Sequence, residues 1–285
     1  MKPRFVAALA FAYLALPTIV HADPTMTVQP MTAKPGDAVL VTVKGTTDAP
    51  KGDANGAPLE FFAARGGYQA VFAVPLDTKA DTVSVVVQKV TSGVKVKVTP
   101  TDFKHTDVWV EDEMANPSAD LKPVIDEDNK QMLAALTKDK GEPQFTRAFK
   151  RPPGAITSGF GVWRKFNDGH ESQHLGVDLF AKMGTKVRAV NAGTVTLVRD
   201  TYLAGKVVVV AHGRGIGSVY MHLSAADVAE GDTVEQGAVL GESGESGRTT
   251  GPHLHVAMRV PGGFVDPIEF FTLKIAPAAE ATARR

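Results

Sequence analysis

His253-Leu254-His255, running on into Val256-Ala-Met-Arg-Val260, is the stretch around which the rest of the chain is read. Side chains two positions apart share a face only in an extended strand, so these two imidazoles point the same way. His174-Leu-Gly-Val-Asp178 offers a third imidazole and a carboxylate, and Ser218-Val-Tyr-Met-His222 places another imidazole at the end of a strand. Six of the eight histidines lie between His170 and His255, and only His21 and His105 precede them. That clustering needs a local cause, and imidazoles converging with a carboxylate suggest a metal.

The composition narrows the chemistry. With no cysteine in the chain, disulfides and thiolate sites are excluded, so zinc would have to sit on histidine and carboxylate. Basic and acidic residues balance at 31 each, which gives no basic stripe for a nucleic-acid partner. Lys2 and Arg4 lead an apolar run from Phe5 to Val20, then His21-Ala22: the three-part form of an export signal over residues 1–22. No later segment approaches a membrane-spanning length. The mature chain is expected in the periplasm or outside the cell.

Working outward, residues 23–112 alternate short β-type runs with turn residues, as in Val39-Leu-Val-Thr-Val-Lys44 after Lys34-Pro-Gly-Asp37. This predicts an Ig-like β-sandwich without a catalytic constellation. Residues 113–144 read as a linker with a helix: Asp126, Glu127 and Asp128 crowd a solvated start, and Val124, Ile125, Met132, Leu133 and Leu136 recur at helical spacing. Strands resume over 145–273, with Val207-Val-Val-Val210 apolar on both faces and hence central in a sheet. Residues 274–285 are expected to be a disordered tail. The fold class is therefore all-β.

Taken together, Ile156-Thr-Ser-Gly-Phe-Gly161, His174-x-x-x-Asp178, Val219-Tyr-Met-His-Leu-Ser224, Gly231-Asp-Thr-Val234, Gly244-Glu-Ser-Gly247, Gly251-Pro-His-Leu-His255 and Asp266-Pro267 resemble the lysostaphin-type, LytM-like zinc endopeptidases that cut peptidoglycan peptides. The resemblance covers Phe145 to about Phe271. It implies His174, Asp178 and His255 as zinc ligands and His222 and His253 as catalytic partners. By alternation with His222, Tyr220 is a candidate to hydrogen-bond substrate, and His212 a candidate to support the ligands from behind. The shorter Val162-Trp-Arg-Lys-Phe-Asn167 segment leaves one wall of the cleft unspecified.

A competing signature is present, since His170-Glu-Ser-Gln-His174 spells the helical H-E-x-x-H zinc motif. It needs a helix, and Asn167-Asp-Gly169 before it with Gly176 after it argue against one. The expected function is an exported zinc endopeptidase acting on peptidoglycan cross-links. The alternative is a non-catalytic domain of the same kind that binds the wall or activates a hydrolase. A further expectation is an intramolecular contact between the N-terminal domain and the cleft.

Overall fold

The computed structural model describes residues 23–138, 141–167 and 169–278. The expected export signal and the last seven residues lie outside them. Strands β1 (Thr25–Gln29), β2 (Thr32–Ala33), β3 (Ala38–Lys44), β4 (Gly52–Ala54), β5 (Ala57–Pro58), β6 (Phe62–Ala64), β7 (Gly67–Ala73), β8 (Thr82–Val87) and β9 (Val94–Val98) build two sheets, ordered β1-β3-β7-β6 and β2-β9-β8-β4-β5. Their facing sides share one core: Val39, Val41 and Val43 from β3 and Ala70 and Phe72 from β7 meet Val83, Val85 and Val87 from β8 and Val96 and Val98 from β9. Several of the alternate residues of β3 and β7 are apolar as well. Ala38, Leu40, Val71 and Ala73, with Phe62, pack into the core of the C-terminal half. The β1-β3-β7-β6 sheet is thus a middle layer: one face closes the core of the sandwich, and the other contributes to the core of the C-terminal half.

Next come β10 (His105–Val108), the short helix α1 (Asp112–Ala115) and helix α2 (Lys122–Thr137). The domain division placed His105–Val108 with the N-terminal sandwich. The structure instead pairs β10 in parallel with a C-terminal strand, the one carrying Trp163–Phe166. Helix α2 carries exposed ion pairs, Lys122–Asp126 and Lys130–Glu127, which contribute little at a surface. Its stability comes from packing. Ala135 and Leu136 are buried against Leu197, Val207, Val209 and Val219, and burying one leucine side chain contributes about 1.5 to 3 kcal/mol. The expected solvated helix start needs correcting at Asp128. That carboxylate is buried, accepts from Arg199 Nε at 2.9 Å and from the Tyr202 amide at 2.9 Å, and so ties the helix to a hairpin.

The C-terminal half holds β11 (Ile156–Ser158), β12 (Trp163–Phe166), β13 (Glu171–Gln173), β14 (Val177–Phe180), β15 (Lys186–Arg188), β16 (Gly193–Thr201), β17 (Gly205–Gly213), β18 (Ile216–Ala226), β19 (Thr233–Val234), β20 (Val239–Ser243), β21 (His253–Val260), β22 (Gly263–Val265) and helix α3 (Pro267–Phe270). The main sheet runs β11-β14-β21-β18-β17-β16-β19. On β17, Val208 and Val210 face the large shared core while Val207 and Val209 face α2. That double burial explains the four consecutive valines. β10, β12 and β13 form a separate small sheet beside the main one.

Part of the expected tail is tied down. Ile275 is buried, the Ala276 amide donates to Gln69 Oε1 at 2.9 Å, and Ala278 donates to the Ala63 carbonyl at 2.9 Å. This segment therefore runs along the edge of the middle layer. Among the described residues no helix is long and apolar enough to cross a membrane.

Candidate metal centre

Strand pairing assembles the site. β14 pairs with β21 so that Asp178 faces His255 and Phe180 faces His253. Leu254, Val256 and Met258 point into the large core, as do Val177 and Leu179. The odd-numbered residues of β21 and the even-numbered residues of β14 therefore turn to the opposite face, the side on which Ala257 packs with α2. The helix covers one end of that face and leaves the other end as the floor of a cleft of about 1610 Å³.

Three ligand-capable atoms converge on this floor. His174 Nε2 lies 3.1 Å from Asp178 Oδ1 and 2.9 Å from His255 Nδ1, and His255 Nδ1 lies 2.9 Å from the same Asp178 oxygen. All three residues are buried. His174 Nδ1 donates to the Gly159 carbonyl at 2.7 Å, which leaves the Nε2 lone pair facing the cluster. The closeness of His255 depends on Gly176, where an added Cβ would stand 2.5 Å from His255 Nε2. Ligands about 2.0 to 2.1 Å from a tetrahedral zinc sit about 3.3 Å apart, so a few tenths of an ångström of expansion would admit the ion. Two imidazoles and one carboxylate, buried and without thiolates, fit a zinc site with a fourth position left open.

Asp178 feels opposing effects. Burial works to raise its pKa, yet the close polar contacts with the His174 and His255 rings hold the carboxyl far below the ordinary range. Burial pushes His255 down to about 4, and burial together with the neighbouring imidazoles of His255 and His253 pushes His222 down to about 3. These rings are neutral near pH 7 and able to accept protons or bind a cation.

His222 and His253 lie beside the ligands. Their ring centres are 4.8 Å apart, and His253 Nε2 is 3.6 Å from Asp178 Oδ1. His222 Nδ1 donates to the Ser246 carbonyl at 2.8 Å and His253 Nδ1 to the Gly251 carbonyl at 2.9 Å, so the neutral form of each ring has its lone pair on Nε2. His222 has φ +61°, a left-handed conformation that is costly for histidine. This break matters, because on β18 Met221 lines the cleft while Tyr220 packs into the core. Regular alternation would put His222 on the core face with Tyr220.

The same break corrects the expectation for Tyr220. Its side chain is fully buried in the core, and its hydroxyl accepts from the Val190 amide at 2.8 Å and from Ser218 Oγ at 3.1 Å. Burial lifts its pKa to about 12. It cannot reach substrate. His212 belongs to the same internal chain of hydrogen bonds, with Nδ1 on the Ala192 carbonyl at 2.7 Å and Nε2 on Ser218 Oγ at 2.9 Å. It sits eight residues on from Ala204, whose carbonyl accepts from the His222 amide, and makes none of these bonds with the ligand residues. The H-E-x-x-H reading falls as well, because Glu171–Gln173 form a strand rather than a helix.

Two residues at the site were not singled out from the sequence. Arg164 Nη2 donates to Asp178 Oδ2 and, at 2.9 Å, to Ser158 Oγ. Phe180, next to His253 in the ladder, is 55% exposed and lines the cleft. Alternation from Asp178 would have found Phe180. Arg164 had no such signal, because its place depends on how β12 lies against a distant strand. Residues from the upstream segment line the cleft too, including Thr106, Trp109 and Asn116, with Trp109 73% exposed.

The sequence pattern of peptidase family M23 matches residues 172–267. The DD-carboxypeptidase/endopeptidase Mpg of Neisseria meningitidis is 42% identical over 95 residues, 33% of this chain and 22% of that protein. Peptidoglycan DD-endopeptidase ShyA of Vibrio cholerae is 36% identical over 131 residues, 44% of this chain and 30% of that protein. The chain thus spans less than a third of the length of these curated relatives. A solved structure described as a peptidase M23 from Pseudomonas aeruginosa is 28% identical with a TM-score of 0.63, and the match covers 83% of this chain and 94% of that one. That likeness extends across both halves of the fold.

Proposed function

We propose that the chain, whose residues 172–267 match the pattern of peptidase family M23, is an exported zinc-dependent endopeptidase that hydrolyses peptide cross-links of peptidoglycan. The observation that carries this reading is the triangle of His174 Nε2, Asp178 Oδ1 and His255 Nδ1, with sides of 2.9 to 3.1 Å, set beside the imidazoles of His222 and His253 in an open cleft. His174, Asp178 and His255 would hold the zinc, which when bound supplies Lewis acidity and a water ionising near pH ~7.

The chain's own groups do the rest. His222 and His253 each donate from Nδ1 to a backbone carbonyl and present Nε2 to the cleft, so either nitrogen is ready to take a proton from the attacking water. The imidazolium so formed stabilises the developing oxyanion and then returns its proton to the leaving amine. Asp178 keeps its charge throughout, because its pKa is far below neutrality.

The names of the relatives, a DD-carboxypeptidase/endopeptidase and a DD-endopeptidase, favour a bond between D-amino acids over a glycine bridge. They also favour action on the wall, and hence export. The contact expected between the N-terminal domain and the cleft is supported by the lining residues Thr106 and Trp109.

The decisive experiment uses purified sacculi and defined muropeptides, with released fragments identified by mass spectrometry. Wild-type protein should release cross-link fragments, a chelator should stop it, and Asp178→Ala should lose both zinc and activity. Full zinc occupancy and undiminished release by Asp178→Ala would overturn the ligand assignment. Zinc-loaded wild-type protein that binds sacculi without releasing anything would favour the wall-binding alternative.

A further inference from the structure

Asp178 has two carboxylate oxygens, and the structure gives them different partners. Oδ1 faces His174 and His255, while Oδ2 accepts from the Arg164 guanidinium, whose same nitrogen is 2.9 Å from Ser158 Oγ. Arg164 is itself tied on both sides. It stands on β12 between β13, where it registers with Ser172, and β10, where it registers with Thr106. The β10 connection is unusual because that strand lies far upstream of residues 172–267, in the segment leading to α1 and α2.

Resting on the metallopeptidase reading above, we propose that Arg164 is a positioning residue that confines Asp178 to one-oxygen ligation, and that strand β10 fixes Arg164 in that role. A carboxylate without a partner on its second oxygen can swing so that both oxygens bind the metal. That would take up the position needed for water. A guanidinium is suited to prevent this, since its planar array of donors holds an oxygen in direction as well as by charge. Partners of metal ligands commonly change affinity or activity by about 10 to 100-fold when removed. Part of the support for the metal site is therefore supplied from outside the family-matched region.

The test uses the full chain loaded with cobalt in place of zinc, because four-coordinate cobalt absorbs strongly in the visible and five-coordinate cobalt weakly. Arg164→Leu should cut the visible absorption severalfold and lower kcat on a soluble muropeptide by about 10 to 100-fold, with KM nearly unchanged. Arg164→Lys, which restores a donor but not the planar fork, should recover part of both. Thr106→Pro, placed in the middle of β10 and touching no ligand, should shift the spectrum in the same direction. If Arg164→Leu does not fold, Arg164→Gln is read in its place. A parental spectrum and kcat in the Leu or Gln variant would overturn the positioning role, and a parental spectrum in Thr106→Pro would overturn the part given to β10. If the wild-type protein binds cobalt yet cleaves nothing, the enzymatic reading fails while the spectra still decide the positioning claim.

Discussion

At the scale of single residues, the site depends on two backbone positions as much as on its imidazoles. Gly176 leaves room for the His255 ring, where a Cβ would stand 2.5 Å from Nε2. Gly176→Ala should displace that ring, destabilise the protein by about 1 to 3 kcal/mol, and lower zinc stoichiometry measured by atomic absorption. His222 holds φ +61°, so His222→Gly should be more stable than His222→Ala by about 1 kcal/mol in urea unfolding, although both lose the imidazole. The reverse order would mean that the left-handed backbone carries no strain. The same residue marks where reading the sequence stops working. Alternation along the regular strand β21 was enough to put His253 and His255 on one face, while His174 and Asp178 were joined to them by the His174-x-x-x-Asp178 motif. It misdirected Tyr220 because the backbone turns at His222, and nothing in Ser218-Val-Tyr-Met-His222 announces a positive φ.

At the scale of elements, α2 is packed into the C-terminal half rather than being a spacer. Asp128 is buried against Arg199 and the Tyr202 amide, and Leu136 fills the space over Gly217, whose added Cβ would meet Leu136 Cδ2 at 2.7 Å. Asp128→Ala should cost about 1 to 3 kcal/mol, because it strands Arg199 and a backbone amide together. Leu136→Ala should cost about 2 to 5 kcal/mol. Equilibrium unfolding in urea checks both, and a loss near zero for Asp128→Ala would show that the helix is held by apolar packing alone. The helical period of 122–137 could be read from the sequence. The burial of Asp128 could not, since three adjacent acids look solvated until a hairpin 70 residues on closes over one of them. β10 was misassigned for a similar reason: its parallel pairing with β12 joins segments that no local pattern connects.

At the scale of the whole molecule, the shared core predicts a single unfolding event. Leu40, Phe62 and Val71 contribute to the same cluster as Phe145, Leu179 and Val256, so calorimetry of the metal-free chain should give one transition with calorimetric and van't Hoff enthalpies equal. Two resolved transitions would refute the idea of a middle layer shared by both cores. Stability should also fall in mild acid. Burial pushes His212 down to about 4, below the ordinary value near ~6.5, so between those pH values the unfolded chain takes up a proton that the folded chain refuses. Folding free energy is then lost as pH drops through that window, by up to about 1.4 kcal/mol per pH unit from this residue. His222 and His255 act in the same direction, so the informative comparison is His212→Gln with the parent, whose slope of stability against pH should be steeper by up to one proton.

The middle layer also bears on how the protein is made. A ribosome delivers β1 to β9 first, so Leu40, Phe62 and Val71 emerge well before Phe145 and the strands that cover them. The leading portion must therefore wait with one greasy side uncovered, and it should bind a hydrophobic dye when produced alone. Its late docking onto the trailing portion becomes the step that a chaperone would have to guard.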